Sequence, residues 1–391
     1  MPHINESGGA PFAHYKTIFP LSVSAALSET PGWLATALVG LALVQDGYST
    51  AVAGTFASLP AAGVIAMSIV LPGIARHFGV VRVFYFAALV LVASLLGLVA
   101  ADRTGSLILW GLGSFGVGLG ASMRWVLCDG FVNHLAISAH RGRLLAFHET
   151  IRSCALGFGP LIAAYSTDDP ARGFMIGIAA AVIGAVLTLG VTLPQVSTGR
   201  ARLSDLTTGI RLAPFAFAIA FLGGVLEGVA AAAVPLYAVA MGVGAAAGAF
   251  LAALSGFGNI LGQLPFGAYA DSAGSRPAIR AALVFVIAAL AALHPVMTAP
   301  WASYAVILCF GAAAGALYTL SVLEASNIAA RDVGLLPILA AVAIVYTLGD
   351  LLGPIIGGVA LYLAPPVVMP MIFIAGCALT LLFARKSRGN G

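Results

Sequence analysis

Too little charge is present in this chain to cover a water-facing surface. Asp, Glu, Lys and Arg make up 8% of its residues, whereas a soluble domain carries about a quarter. No sustained polar/apolar alternation appears, which excludes a membrane β-barrel. A phosphate-cradling Gly-rich loop ending in Lys-Ser/Thr is missing, so ATP is not the expected energy source. No His/Cys/Asp/Glu grouping has metal-ligand spacing, and no nucleophile–base arrangement stands out; neither a metal, a cofactor nor an enzymatic activity is expected. The four cysteines (Cys128, Cys154, Cys309 and Cys377) form no spaced motif and read as small apolar residues packed between helices. A cleavable signal peptide is not expected, because the apolar stretch after the polar N-terminus is too long for a signal core.

What is present is apolar and small. Hydrophobic residues make up 61% of the 391, and they fall in runs of about 20 separated by short polar stretches, the pattern of spanning helices. The runs place twelve helices near 17–44, 51–71, 83–101, 106–128, 144–165, 173–193, 212–240, 247–266, 278–297, 301–326, 335–362 and 367–384. The 47 glycines, with abundant alanine, let helices approach closely in lipid. With the N-terminus in the cytoplasm, the cytoplasmic segments hold fourteen of the 18 Lys and Arg and the outer segments only Arg103 and Arg172, while Arg124 and Arg152 lie inside spans. This asymmetry predicts that both termini are cytoplasmic and that the helix count is even. The net charge of +4 belongs to those loops, and no nucleic-acid partner is expected.

The chain repeats itself. Gly157 to Ile162 (GFGPLI) answers Leu351 to Ile356 (LLGPII), and the turn at Gly79 answers that at Gly274. The offset is half the chain, so two six-helix halves are expected, 1–193 and 212–391, joined by a basic cytoplasmic connector at 194–211. An even number of helices per half makes them parallel repeats.

These features resemble the major facilitator superfamily over essentially the whole length. The clearest motif is GAYADSAGSR, Gly267 to Arg276, which is similar to that superfamily's loop signature. Its N-terminal counterpart, Pro72 to Arg82, departs from it by carrying Arg76 where Asp is usual. Within the superfamily the chain looks most like the YcaD-like branch, through Cys128 to Phe147, Gly262 to Asp271 and Tyr346 to Gly358. The resemblance implies an all-α membrane fold in which helices 1, 4, 7 and 10 line a central cavity, 2, 5, 8 and 11 flank it, and the rest face lipid. It also implies that Asp271, Gly274, Arg276 and Arg331, with Asp129, Arg141 and Arg143, form a cytoplasmic latch. The antiporter-associated motif expected in helix 5 is reduced to GPLIAA, Gly159 to Ala164; a fuller copy, GPIIGG, lies in helix 11.

An ionised side chain near the bilayer centre costs about 2.5–3.5 kcal/mol on insertion scales, yet several fall inside the predicted spans. They are Glu29, Arg124, Asp129, Glu149, Arg152, Glu227, Glu324 and Asp350, all on cavity-lining or flanking helices. Arg124 and Arg152 sit at one depth, ~14 Å in at ~1.5 Å per residue. They could grip a carboxylate or phosphate by paired hydrogen bonds, or be neutralised by Glu29 in a structural network. Glu29 precedes Pro31, and proline bends helices that frame transport sites. Glu29, Glu227 and Asp350 are the proton-coupling candidates, since a partly desolvated carboxylate can bind a proton in one state and release it in another. Asn259, Gln263, Tyr318 and Tyr346 could add neutral contacts to the solute, or serve as helix-packing glue. Asp129 and Glu149 lie near the cytoplasmic loop and can reach Arg141 or Arg143; Glu149 and Arg152, three apart on one helical face, can also pair with each other, and His148 beside them reads as a structural residue.

The expected function is proton-coupled export of a small organic solute, anionic or zwitterionic, across the inner membrane of a bacterium by a monomeric multi-pass transporter. Uptake by symport, flipping of a lipid or lysolipid, and a non-transporting sensor on the same scaffold are the alternatives.

Overall fold

The computed structural model describes residues 12–135, 141–194, 203–329 and 335–386. They form twelve long helical segments. The first six are α1 (Phe12–Gln45), α2 (Thr50–Phe78), α3 (Val80–Thr104), α4 (Leu107–Leu135), α5 (Arg141–Ala164) and α6 (Pro170–Val186). A short helix, Leu203–Leu212, lies in the connector. The last six are α7 (Pro214–Ala240), α8 (Ala245–Ala273), α9 (Ser275–Val296), α10 (Pro300–Ala329), α11 (Leu335–Leu363) and α12 (Val368–Lys386). Eight of the twelve are long and apolar enough to cross a membrane on length and composition alone. Two more, α6 and α12, contain shorter apolar stretches. The remaining two, α4 and α5, carry Arg124, Asp129, Arg143, Glu149 and Arg152. Large apolar side chains such as Leu89, Phe285 and Leu379 on α3, α9 and α12 are exposed on the outer surface, as a lipid-facing belt requires.

Several helices run past their apolar cores. α2 and α8 were expected to end near 71 and 266 but continue to Phe78 and Ala273. Each loop expected after them shrinks to one glycine with positive φ, Gly79 at 85° and Gly274 at 94°, a conformation that costs glycine little. Hydropathy marks the bilayer core, whereas helices stop where the backbone turns. Proline gives another difference. α1 passes through Pro31 without a break, while α7 contains a π-turn at Val229–Ala233. There the Val234 N–H reaches back to the Val229 carbonyl, just ahead of Pro235, which has no N–H to continue the regular ladder.

Packing repeats in step with the sequence. α1 packs on α5 as α7 packs on α11, and α2 on α4 as α8 on α10. The tightest seams are glycine-lined: a Cβ on Gly224 would lie 1.9 Å from the Tyr346 carbonyl oxygen, and one on Gly349 would lie 2.1 Å from that of Phe221. Between the first and last six helices the main seams are α5–α8 and α2–α11. They close at the end that carries the Gly47 and Gly242 turns. There Thr50 Oγ1 donates to the Gly358 carbonyl at 2.9 Å, Gly256 abuts the Leu156 carbonyl, and Leu236 and Ala249 join an apolar cluster built on Leu34 to Leu43 of α1. Among the described residues, the buried clusters toward the Gly79 and Gly274 end stay within one set of six helices.

Candidate functional site

Between the two sets of helices lies a cavity of about 320 Å³, lined from α1, α2, α4, α5, α7, α8, α10 and α11 and, among the described residues, by none of α3, α6, α9 or α12. Glu29, Arg152, Glu227, Asn259, Gln263, Tyr318, Tyr346 and Asp350 all face it, together with Glu149, Trp33 and Trp125.

One side is organised by Arg152. Its Nη1 donates to both oxygens of Glu29, at 2.8 and 3.0 Å, and its Nε to Glu149 Oε2 at 3.0 Å. Nη2 also donates to Glu149, so every nitrogen of the guanidinium is engaged by a carboxylate. The Trp125 ring lies 5.1 Å from the guanidinium carbon, within cation–π range. Helical spacing explains the assembly: Glu149 and Arg152 share one face of α5, and α1, packed alongside, presents Glu29 to that face.

The other side is built on Glu227, two residues before the π-turn. It accepts from the Tyr346 hydroxyl and from Asn259 Nδ2 at 3.2 Å, and Gln263 Nε2 donates to Asn259 Oδ1 at 3.1 Å. The Tyr318 and Tyr346 rings stand 4.7 Å apart. One turn beyond Tyr346, Asp350 lines the cavity with no hydrogen bond or ion pair among the described residues. α7 approaches it with bare glycine: a Cβ on Gly228 would lie 3.0 Å from Asp350 Oδ1.

Arg124 is not part of this cavity. It is 0% exposed and donates to Ser28 Oγ at 2.7 Å, Ser24 Oγ at 2.5 Å, the Gly184 carbonyl at 3.1 Å and the Phe84 carbonyl at 3.2 Å, with its guanidinium 4.1 Å from the Phe84 ring centre. No carboxylate touches it among the described residues. The expected grip of two arginines on one anion is therefore not formed. Gly118, Ala121, Ser122 and Trp125 define the cavity face of α4, and Arg124 lies one residue, about 100°, off that face. Azimuth, which depth does not fix, sends it between α1, α3 and α6.

The residues expected at the latch are partly rearranged. Asp129 meets His148 Nε2 at 2.8 Å rather than an arginine, and His148 Nδ1 lies 2.9 Å from Ser22 Oγ. Glu149 turns to Arg152, away from the loop, while Arg143 is exposed. Arg276 Nε donates to Glu324 Oε1 at 2.8 Å, and Ser275 donates to the other oxygen of the same carboxylate. Asp271 is not in a loop; it is an exposed residue in the last turns of α8, before Gly274. The side chain of Arg141, and Arg331 as a whole, lie outside the described residues.

A membrane-spanning bundle with a charged, aromatic-lined central cavity has relatives. The sequence profile described as Major Facilitator Superfamily matches residues 21–336. The chain belongs to the Major Facilitator Superfamily. It is a multi-pass membrane transporter and not an enzyme. Its similarity extends to the MFS-type transporter YcaD of Escherichia coli, at 27% identity over 327 residues covering 81% of each chain. YcaD of Escherichia fergusonii is 26% identical over 284 residues, 71% of this chain and 72% of the relative. Among solved structures, the nucleoside transporter NupG superposes with a TM-score of 0.73 at 14% identity, covering 95% of this chain and 98% of that one. A bacterial homolog of the human lysosomal transporter Spinster, in an inward-facing and unoccupied conformation, gives 0.62 at 15% identity, covering 96% and 94%. At such identities the likeness is one of fold.

Proposed function

We propose that this major facilitator is a proton-coupled secondary transporter of the bacterial inner membrane that exports a small organic solute by alternating access. The two sets of six helices, 1–193 and 212–391, would rock about the cavity, with both termini and the connector in the cytoplasm. The carrying observation is the chain Glu149–Arg152–Glu29, which shares its cavity with Glu227. A guanidinium held between two carboxylates is an exchange point: a proton or a solute arriving at Glu29 frees Arg152 to re-pair, and re-pairing changes how α1 and α5 sit together. Glu227 and Asp350 are the matching proton or solute sites on α7 and α11. Under the positive-inside topology the closed seams lie on the outer side, so the cavity belongs to a state loaded from the cytoplasm.

The test uses inverted membrane vesicles energised to an acidic interior, with a pH-sensitive dye reporting the gradient. A panel of small organic solutes is added in turn to vesicles containing the wild-type protein or Glu29→Gln. Solute-evoked collapse of the gradient by the wild type, lost in the variant, is the expected result. Solute flux without proton movement, or unchanged coupling in Glu29→Gln, overturns the assignment of the driving ion to Glu29. Gradient-driven solute movement out of the vesicle lumen would reverse the direction to uptake.

A further inference from the structure

Resting on the transport reading above, we infer that the solute is an organic cation, a protonated amine on a flat apolar body, and that Asp350 receives its ammonium group. The cavity presents four carboxylates, Glu29, Glu149, Glu227 and Asp350, against the single guanidinium of Arg152. That guanidinium has no nitrogen free of a carboxylate contact. An anionic solute would have to displace Glu29 or Glu149 and leave a buried carboxylate without its counter-charge. Among the described residues the other side of the lining holds no positive group. Glu227 is met by neutral donors, Tyr346 and Asn259, and Asp350 by no side chain among the described residues.

An unpartnered acceptor in a membrane cavity is unfavourable until a donor arrives, and an ammonium supplies both the charge and up to three N–H donors. Space for it lies on the cavity side, where Asp350 is part of the lining; on the other side α7 packs against it through Gly228, whose Cβ would lie 2.4 Å from the Asp350 carbonyl oxygen. The walls suit the rest of such a molecule. Tyr346 lies one helical turn before this acceptor with the Tyr318 ring 4.7 Å from its own, and Trp125 and Trp33 also line the cavity. Aromatic faces attract cations and stack on flat rings.

The test is a charge series on one body: 2-naphthylmethylammonium, 2-naphthylmethanol and 2-naphthoate. Each is titrated into purified full-length protein in lipid nanodiscs at neutral pH, with binding read from tryptophan quenching and confirmed by calorimetry. The ammonium compound should bind at least tenfold more tightly than the alcohol, with the carboxylate weakest. Asp350→Asn should lose that tenfold preference and Asp350→Glu should keep most of it, each variant being first checked for wild-type melting in the absence of ligand. Tighter binding of the naphthoate, no binding of the ammonium compound to folded wild type, or an unchanged preference in Asp350→Asn overturns the inference. No ion gradient is present in this measurement, so it is separable from the proposed function. Retained charge preference with no gradient-driven flux would leave a cation-binding sensor, whereas proton-coupled flux of an anion would preserve the transporter and remove the cation.

Discussion

Arg152 Nη1 lies 2.8 Å from Glu29 Oε1, and this contact ties α5 to α1 beside the cavity. Neither partner is isolated, because Glu149 holds the rest of the same guanidinium. Removing the arginine leaves two carboxylates facing each other in a poorly solvated site. Breaking a buried pair from one side typically costs about 3–5 kcal/mol, so Arg152→Ala should unfold several degrees earlier and transport nothing. The double variant Arg152→Ala with Glu29→Gln should regain much of the thermal stability without regaining flux. Thermal unfolding in detergent, paired with vesicle transport, separates the two effects.

Arg124 should behave differently. Its truncation removes a packed side chain and strips donors from two serine hydroxyls and two carbonyls, a loss of about 2–4 kcal/mol. Arg124→Ala is expected to lower the melting temperature, while the folded fraction still binds solutes with wild-type affinity. Weakened solute binding in folded Arg124→Ala would show that the residue reaches the cavity in another state.

Two classes of glycine should separate by location. A Cβ on Gly224 would meet the Tyr346 carbonyl oxygen inside the last six helices, so Gly224→Ala should destabilise the fold without changing which side the cavity faces. A Cβ on Gly256 would lie 2.2 Å from the Leu156 carbonyl oxygen, across the α5–α8 seam. Gly256→Ala should pry that seam apart and favour the opposite-facing state. A cysteine introduced at Thr36, a cavity position, read with a membrane-impermeant maleimide from each side, reports the difference.

Arg276 and Glu324 pair beside the Gly274 turn, with Glu324 4% exposed and the arginine side chain 34% exposed. Because the arginine is partly solvated, Arg276→Ala should cost only about 1–2 kcal/mol. The exchange Arg276→Glu with Glu324→Arg should recover part of it, as judged by melting temperature.

Much of this architecture is legible in the residues. Apolar runs and loop arginines suffice for twelve helices because membrane insertion reads the same quantities. The confinement of embedded charges to cavity helices follows from the cost of exposing them to lipid, which is why Glu29, Arg152, Glu227 and Asp350 emerge together. Azimuth is the harder coordinate. α4 carries glycine or serine on every side, as at Ser114, Gly116, Gly118 and Gly120, so no polar stripe shows which way Arg124 points. The i,i+3 spacing already offers Glu149 to Arg152, whereas only the packing of α1 against α5 shows that His148 turns inward to Ser22. Among the described residues the π-turn after Glu227 has no counterpart in the first half, where α1 runs through Pro31 unbroken.

The burial of Arg124 also sets an order in time. Its acceptors on α1 and α3 precede it in the chain, but the Gly184 carbonyl lies 60 residues after it. While the chain is being made, α4 enters the bilayer with a cation that cannot be fully satisfied until α6 has followed. The hydrogen-bond set of Arg124 is thus complete only once α6 has packed beside it.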